Sequence, residues 1–194
     1  MNKMRFVQIG TSSAKDDVFD FVKDQDIDLG VLVEPLEEHS QEILDCYEGI
    51  ENIHLEQVAI RWDKIREVQF YSSDLHPGAS SFRKKHLLRH RVPMDKIDTR
   101  VVKCIHIHEL FDKYNIDYLD HLFTDTEGFD GDLLLGLDFN KYKIQHIVFE
   151  SVHLDSPMFS GGEKTKKLLN HLTSNGYKVK KSEWKFNMEA TLDE

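Results

Sequence analysis

The first third of the chain alternates short β-rich runs with segments whose apolar residues recur at helical spacing. The three predicted strands cover residues 6–9, 29–33 and 53–60, and the two predicted helices lie between them, near 18–22 and 36–50. The run at 29–33 is apolar without interruption, which is typical of a strand that is buried on both faces. This order of elements predicts the start of a doubly wound α/β sheet.

The alternation continues after an irregular middle. A strand near 68–71 precedes a long charged connection over 72–98, and connections of that length inside a compact domain are commonly functional. Further predicted strands lie at 101–107, 118–123 and 144–149, and further predicted helices at 109–114, 133–137 and 162–174. Two last strands, near Tyr177–Lys181 and Trp184–Met188, are joined by two residues, which predicts an antiparallel hairpin at a sheet edge.

Composition limits the class of protein. The 194 residues are 40% hydrophobic and 31% charged, which excludes a disordered chain, and no apolar run approaches the ~18 residues of a spanning helix. Cys46 and Cys104 lie far apart, without the spacing of a metal or redox motif, and the first residues carry no signal-peptide pattern. We therefore expect a cytoplasmic protein that does not bind a membrane.

Charge is distributed unevenly along the chain. There are 25 basic and 35 acidic residues, a net charge of −10, and residues 1–60 alone have a balance of −10. Residues 83–103 carry eight basic and two acidic side chains, which indicates either a solvated surface or a patch that attracts an anionic substrate. The overall acidity disfavours a dedicated nucleic-acid-binding protein.

Polar or small residues stand where the predicted strands end. They are Gly10, Glu34, Ala59 with Ile60, Asp125 and Glu150. In an open α/β sheet the ligand lies beyond the carboxyl ends of the strands, so these residues mark the predicted site. Each of them also has a purely structural interpretation, as a tight turn, a helix-start carboxylate or an N-cap.

The spacing from Gly10 to Glu34 indicates a nucleoside ligand. Gly10 permits close approach to the backbone, and Thr11-Ser12-Ser13 supplies N-cap candidates for a helix whose first N–H groups would face a carboxylate or phosphate. Glu34 follows Gly10 by 24 residues, near the ~20 typical of an acid that binds both ribose hydroxyls. The chain has no G-x-G-x-x-G and no P-loop motif, and an acid at the ribose disfavours NADP. A nucleoside that carries a carboxylate therefore fits better than a dinucleotide.

Five segments together resemble the FkbM-type S-adenosylmethionine-dependent methyltransferases. They are Phe6-Val7-Gln8-Ile9-Gly10, Val33-Glu34-Pro35, Val58-Ala59-Ile60, Asp125-Thr126-Glu127-Gly128-Phe129-Asp130 and Phe149-Glu150. The resemblance implies a class I methyltransferase, with an α/β, doubly wound, mostly parallel seven-stranded Rossmann-like sheet and an antiparallel terminal hairpin. We expect one methyltransferase-like domain over residues 1–194, with an inserted strand and long loop at about 61–107.

The resemblance also implies roles for individual residues toward S-adenosyl-L-methionine and its methyl acceptor. Gly10, Thr11 and Ser12 would line the methionyl end of the cofactor, with Asp16 or Asp17 nearby. Glu34, followed by Pro35, would hold the ribose, and Ala59 and Ile60 would face the adenine. Asp125 and Glu127 would face the methyl group, whereas Ser80 and Ser81 would face the acceptor.

The loop after the first strand departs from the family pattern. Members commonly carry Gly-Ala-Asn-Asp-Gly, whereas this chain has Gly10-Thr11-Ser12-Ser13-Ala14, so an amide, a carboxylate and a second glycine are missing. Residues 125–130 are called the acidic motif below. The lysine that family members often carry directly before this motif is Thr124 here. These replacements make a catalytically degenerate cofactor-binding protein the main alternative to an active enzyme.

The predicted reaction is O-methylation of a hydroxyl group on a small molecule or glycan. A base must take the hydroxyl proton, and the candidates are Asp125, His106, His108 and His153. Asp125 is preferred because the strand before it ends beside the expected methyl position, whereas His106 and His108 are interpreted as a structural pair.

Two further hypotheses concern a metal and a nucleic acid. Asp125 and Glu150 end neighbouring strands and would together suit Mg²⁺, but we interpret them as separate cap-like carboxylates and expect no metal. A nucleic-acid methyltransferase would use the basic residues 83–103, where Phe82 is the one nearby aromatic side chain for base stacking. The sequence names neither the acceptor nor the oligomeric state.

Overall fold

The computed structural model describes residues 3–156 and 158–193. In chain order the strands are β1 (Met4–Ile9), β2 (Ile27–Val33), β3 (Ile53–Glu56), β4 (Ala59–Arg61), β5 (Glu67–Ser72), β6 (Asp98–His106), β7 (Tyr118–Thr124), β8 (Lys143–Glu150), β9 (Tyr177–Lys181) and β10 (Asn187–Leu192). The helices are α1 (Asp17–Val22), α2 (Ser40–Cys46), α3 (Lys84–Arg89), α4 (Ile107–Lys113), α5 (Asp130–Leu135) and α6 (Glu163–Ser174).

A seven-stranded sheet with the order β3-β2-β1-β7-β8-β10-β9 forms the centre of the fold. The first five strands in that order pair in parallel, whereas β10 is antiparallel to both β8 and β9. The predicted α/β fold with a mostly parallel seven-stranded sheet and antiparallel terminal strands is therefore confirmed. Because β1 lies beside both β2 and β7, the carboxyl ends of three strands meet at one edge.

Both faces of the sheet are covered, as the apolar runs predict. Alternate side chains of a strand point to opposite faces, so Val7 and Ile9 pack with α4, α5 and α6 in one cluster. Phe6, on the other face, packs with Val18 of α1 and Ile43 of α2. Burial on both sides explains why residues 29–33 of β2 form a continuous apolar run.

The single predicted strand at 53–60 is wrong, because the chain leaves the central sheet after β3. Ala59 and Ile60 lie on β4, which pairs in parallel with β6, and β6 pairs antiparallel with β5. This small second sheet has its own apolar core, in which Ala59 contacts the buried Phe70 and Cys104. The predicted long connection at 72–98 contains α3 and two short 3₁₀ turns.

Two local predictions also need correction. The N-cap of α1 is Asp16 rather than a residue of Thr11-Ser12-Ser13, and its carboxylate accepts the N–H of Phe19 at 2.9 Å. Five residues, 182–186, rather than two join β9 to β10. Trp184 in that connection stacks on Phe123 of β7, so the turn is held against the sheet instead of closing tightly.

Among the described residues, no helix combines the length and apolar character required to cross a membrane.

A stacked pair of histidines lies on neighbouring strands of the central sheet. His121 of β7 is in register with His146 of β8, and their rings stack at 5.0 Å. Phe123 stacks on the same His121 ring at 5.5 Å. Burial, and then the neighbouring His146, lower the pKa of His121 to about 4. The neutral imidazole is therefore the form that the fold accommodates.

His121→Phe should make stability less sensitive to acid. A lowered pKa in the folded state means that the unfolded chain binds the extra proton, so stability is full above about pH 6.5 and falls as the pH drops toward 4. Chemical denaturation at pH 7 and pH 5 should show a loss about 1–2 kcal/mol smaller in the variant than in the unmodified protein.

The exposed His54 provides a matched control for that measurement. His54→Phe should retain the acid sensitivity of the unmodified protein. An equal loss of stability in His121→Phe and in the control would contradict the assignment of acid sensitivity to the stacked pair.

Candidate functional site

The ends of β1 and β7 meet in a contact that only glycine permits. The N–H of Asp125 donates to the carbonyl oxygen of Ile9 at 2.9 Å. A Cβ on Gly10 would lie 1.8 Å from the carbonyl oxygen of Asp125, and Gly10 has a φ of +87°. A side chain at this position would collide with backbone, so Gly10 sets how closely the two loops approach.

The loop from Gly10 to Ala14 uses most of its own N–H groups. The N–H groups of Gly10 and Thr11 both donate to the Val33 carbonyl oxygen, at 3.0 and 3.1 Å. Ser12 and Ala14 adopt left-handed conformations, with φ of 48° and 58°. The backbone therefore makes this turn without the family's second glycine, in a conformation that costs a non-glycine residue free energy.

One of the N–H groups expected to be free at the start of α1, that of Phe19, is not available to a ligand. Asp16, rather than an anion from solution, accepts the N–H of Phe19 through one carboxylate oxygen, and Gln8 donates to the other at 2.7 Å. The Phe19 N–H therefore cannot receive the predicted carboxylate or phosphate without displacing Asp16. A charged side chain already fills the position.

Glu34 is held in a fixed orientation at the end of β2. Its carboxylate is buried, and its two oxygens accept the N–H groups of Ser12 and Leu36, each at 2.9 Å. Burial raises the pKa of Glu34, and these two hydrogen bonds lower it in part. Each carboxylate oxygen keeps a second lone pair, so the group still offers two acceptors to a pair of hydroxyls.

A cavity of about 240 Å³ joins most of the predicted site residues. Those that line it are Gly10, Thr11, Ser12, Asp16, Glu34, Pro35, Ala59, Ile60, Ser80, Asp125 and Glu127. Sequence reasoning missed other lining residues, among them Lys15, Leu36, His39, Phe70 and Phe82. No local motif marks Phe70 or Phe82, because the second sheet and its loop bring them to the cavity.

The acidic motif after β7 makes an unusual turn. Glu127 and Gly128 are both left-handed, with φ of 53° and 98°. The fully buried Asp130 carboxylate accepts the N–H of Thr126 at 3.2 Å and its hydroxyl at 3.0 Å. This turn holds the side chains of Asp125 and Glu127 at the carboxyl edge of the sheet.

Three carboxylates meet at this edge. Asp125, Glu127 and Glu150 each place an oxygen within 4.8 Å of the others. Burial, reinforced by neighbouring carboxylates, raises the pKa of Glu127 to about 8 and that of Glu150 to about 11. Withdrawal from water and the same neighbours also raise the pKa of Asp125, although its side chain is open to the cavity. Asp125 does not cap α5, whose N-cap is Phe129.

Asp125, together with Gly10 and Asp16, lines both the main cavity and a second one of about 170 Å³. The second cavity is also lined by Glu150 and by Trp184, Lys185 and Phe186 of the connection before β10. Asp125 therefore faces two adjoining spaces, one bounded by the Gly10 loop and the other by the terminal hairpin.

The two serines predicted to face an acceptor differ in position. Ser80 lines the main cavity, and its hydroxyl donates to the Pro77 carbonyl oxygen at 2.9 Å. Ser81 is buried, and its hydroxyl donates to the Glu127 carbonyl oxygen at 3.3 Å. Ser81 thus ties the long connection to the acidic motif and lies outside the cavity lining.

The histidines suggested as bases lie in two different parts of the structure. His106 ends β6 and caps α4, accepting the His108 N–H at 3.1 Å, while its other ring nitrogen lies 2.9 Å from the Trp62 carbonyl oxygen. His108 lies on α4, and the interpretation of His106 and His108 as a structural pair agrees with this capping. His153 instead lies 3.4 Å from Glu150 and 3.5 Å from Glu127.

The basic residues of 83–103 do not form one loop. Lys84 and Lys85 lie on α3, whereas Arg100, on β6, pairs with Glu38 at 2.8 Å. Arg83 places its guanidinium 4.5 Å from the centre of the Phe129 ring. The positive charge is therefore divided between two elements and is partly engaged within the protein.

Comparisons with solved structures show the same fold in methyltransferases. The FkbM methyltransferase of Methylobacillus flagellatus KT is 15% identical, with a TM-score of 0.58 over 97% of this chain and 43% of that one. A precorrin-6y C5,15-methyltransferase from Geobacter metallireducens GS-15 is 14% identical, with a TM-score of 0.53 over 100% of this chain and 82% of that one. This chain thus spans less than half the length of the FkbM structure.

Fibrillarin from Aeropyrum pernix, solved with natively bound S-adenosyl-L-methionine, is 11% identical. Its TM-score is 0.51, over 97% of this chain and 67% of that one. No curated protein sequence matches this chain significantly.

The sequence itself carries the family signature. The profile of the methyltransferase FkbM domain matches residues 8–179, which is most of the chain and includes the Gly10 loop, Glu34 and the acidic motif. The resemblance inferred from the five segments is confirmed, and this protein belongs to the methyltransferase FkbM domain family.

Proposed function

We propose that this protein transfers the methyl group of S-adenosylmethionine to a hydroxyl group of a small molecule or glycan. Family membership supports methyl transfer as the class of reaction. The observation that carries the proposal is the cavity at the carboxyl edge of the sheet, where the oriented carboxylate of Glu34 lies between the Gly10 loop and an apolar wall.

The residues around the cavity fit such a cofactor. Glu34 suits the two ribose hydroxyls, and the apolar side chains of Ala59, Ile60 and Phe70 suit an adenine ring. Lys15 is the only lysine or arginine among the described residues of the lining, whereas four carboxylates line it: Asp16, Glu34, Asp125 and Glu127. This balance favours a ligand with a cationic centre and disfavours a pyrophosphate.

The chain's own residues would prepare the acceptor. When bound, S-adenosylmethionine supplies an electrophilic methyl group on a positively charged sulfur. Asp125 would accept the proton of the acceptor hydroxyl as the oxygen–carbon bond forms. Its backbone is held by the Ile9 carbonyl oxygen and by contact with Gly10, so its carboxylate stays at the junction of the two cavities. Such positioning supplies much of the rate of a displacement reaction.

The second sheet supports a single methyltransferase-like unit, which we propose over residues 1–194. Phe70 of β5 and Ser80 of the following connection line the same cavity as Gly10 and Asp125. The segment at about 61–107 would then be an insertion that closes one side of the site.

A nucleic-acid acceptor is less well supported than a small one. Fibrillarin from Methanococcus jannaschii, described as a pre-rRNA processing protein, is 11% identical with a TM-score of 0.52, over 98% of this chain and 66% of that one. At that identity the likeness concerns the fold alone. A steep loss of affinity for RNA or DNA with rising salt would favour such an acceptor, because phosphate contacts release counterions.

Glu34→Ala should weaken binding of S-adenosylmethionine by at least ~10-fold, because two hydrogen bonds to a charged acceptor are lost. Titration calorimetry on the purified protein measures this directly. Glu37→Ala, three residues further along and exposed, is the matched control and should bind as the unmodified protein does. Unchanged affinity in a folded Glu34→Ala protein would contradict the assigned site.

Asp125→Asn should lower turnover by at least ~100-fold and change S-adenosylmethionine affinity much less, because the amide cannot accept the hydroxyl proton. Transfer of a radiolabelled methyl group to a panel of sugars and small alcohols provides the assay. Asp117→Asn, at an exposed position before β7, is the control.

Equal losses of turnover and affinity in Asp125→Asn would make this carboxylate a binding residue. If the unmodified protein binds S-adenosylmethionine but transfers no methyl group to any acceptor, the degenerate cofactor-binding alternative is favoured.

A further inference from the structure

Four side chains from three separate segments converge beside the acidic motif. His86 lies on α3 and His90 directly after it, one helical turn on; Glu127 follows β7 and His153 follows β8. Each offers one ligand atom, and these atoms all lie within 4.8 Å of one another. The ring centre of His86 lies 4.7 Å from that of His90 and 4.5 Å from that of His153.

Three polar atoms of this cluster lack hydrogen-bond partners among the described residues. Nε2 of His86 lies 2.5 Å from Oε2 of Glu127, yet among the described residues neither atom makes a hydrogen bond of acceptable geometry. Nε2 of His90 is likewise buried without a partner in the described part of the chain. His86 is only 1% exposed, so water has little access to its ring. Buried polar atoms in native proteins rarely remain unpaired in this way.

A nitrogen and an oxygen with opposed lone pairs repel at this distance, and the repulsion is relieved when both atoms bind one cation, which would hold them somewhat further apart. We propose that His86, His90 and Glu127 bind a divalent transition-metal ion such as Zn²⁺. His86 on α3 and His90 at its C-cap are four residues apart, and two imidazoles with one carboxylate form a ligand set typical of such ions. The two imidazole nitrogens disfavour Mg²⁺ and Ca²⁺, which prefer oxygen ligands.

His153 is assigned as a positioning residue rather than a ligand. Its Nδ1 accepts the N–H of Met158 at 2.7 Å, so in the neutral ring the hydrogen is on Nε2. That nitrogen faces the carboxylates of Glu127 and Glu150, at 3.5 and 3.4 Å. Donors of this kind orient carboxylate ligands and tune their affinity for the metal.

The proposed ion would connect the inserted segment to the carboxyl edge of the sheet. His86 and His90 belong to the long connection, whereas Glu127 belongs to the acidic motif and also lines the main cavity. Three protein ligands leave coordination positions for water or another oxygen ligand. Metal binding does not depend on the proposed methyl transfer, so the two proposals are tested separately.

The test is metal binding by the full chain after treatment with a chelator. Titration with Co²⁺, followed by visible absorption, should show one ion per chain, and Zn²⁺ should displace it. His86→Gln and His90→Gln should each weaken binding by at least ~100-fold. His171→Gln is the matched control, because His171 is a half-buried helical histidine whose Nε2 is also unpaired among the described residues.

A concentration of about 100 µM is far above the dissociation constants of structural metal sites. Absence of one-to-one binding of Co²⁺ or Zn²⁺ at that concentration would overturn the proposal. Equal binding by His90→Gln and the unmodified protein would do so as well. His90 is only half-buried, so that variant tests the site even if His86→Gln does not fold. S-adenosylmethionine affinity measured on His90→Gln should stay unchanged, which distinguishes failure of the metal site from failure of the cofactor site.

The role of His153 has its own readout. His153→Ala should weaken Co²⁺ binding by ~10–100-fold while the absorption spectrum of the bound ion keeps its shape, because the ligands are unchanged. His153→Gln, which retains an N–H donor, should recover part of the affinity. A changed spectrum in His153→Ala would overturn the three-ligand assignment.

Discussion

The close contact between the ends of β1 and β7 is the constraint on which the site depends. Gly10 has no Cβ, so its backbone passes directly against the Asp125 carbonyl oxygen, and Asp125 in turn binds the Ile9 carbonyl oxygen. A larger residue would separate the two loops. The cavity, the orientation of Glu34 through Ser12 and the position of the acidic motif all follow from this approach.

That approach concentrates negative charge. Asp125, Glu127 and Glu150 lie at one edge, where Glu127 and Glu150 have little access to water, and repulsion between neighbouring carboxylates adds to the effect of burial in raising their pKa values. A cation that enters such a site stabilises the ionised carboxylates, which burial and mutual repulsion otherwise disfavour relative to the protonated acids. The proposed sulfonium ligand and the proposed metal ion would both gain from such an edge.

The sequence predicted the residues that line the cavity better than it predicted the contacts of the residues around them. Gly10, Glu34 and Asp125 were found because each stands at a strand end, and parallel strands bring such ends together. Ser81 was assigned to the acceptor side but is buried against Glu127, and nothing in its local pattern distinguishes it from Ser80. Ala14, which stands where the family commonly has glycine, adopts a left-handed conformation that glycine reaches at lower cost.

The amino-acid sequence by itself determined the order of strands and helices, the two-sided burial of the central sheet and the family. These depend on the periodicity of apolar residues and on short motifs, which are local properties of a chain. The tertiary structure decided which polar groups meet. It separated β4 from β3, placed Phe70 at the cavity and brought His86 and His90 to Glu127. Those meetings join residues that are distant along the chain, and only the packing of the inserted segment against the sheet sets the distances between them.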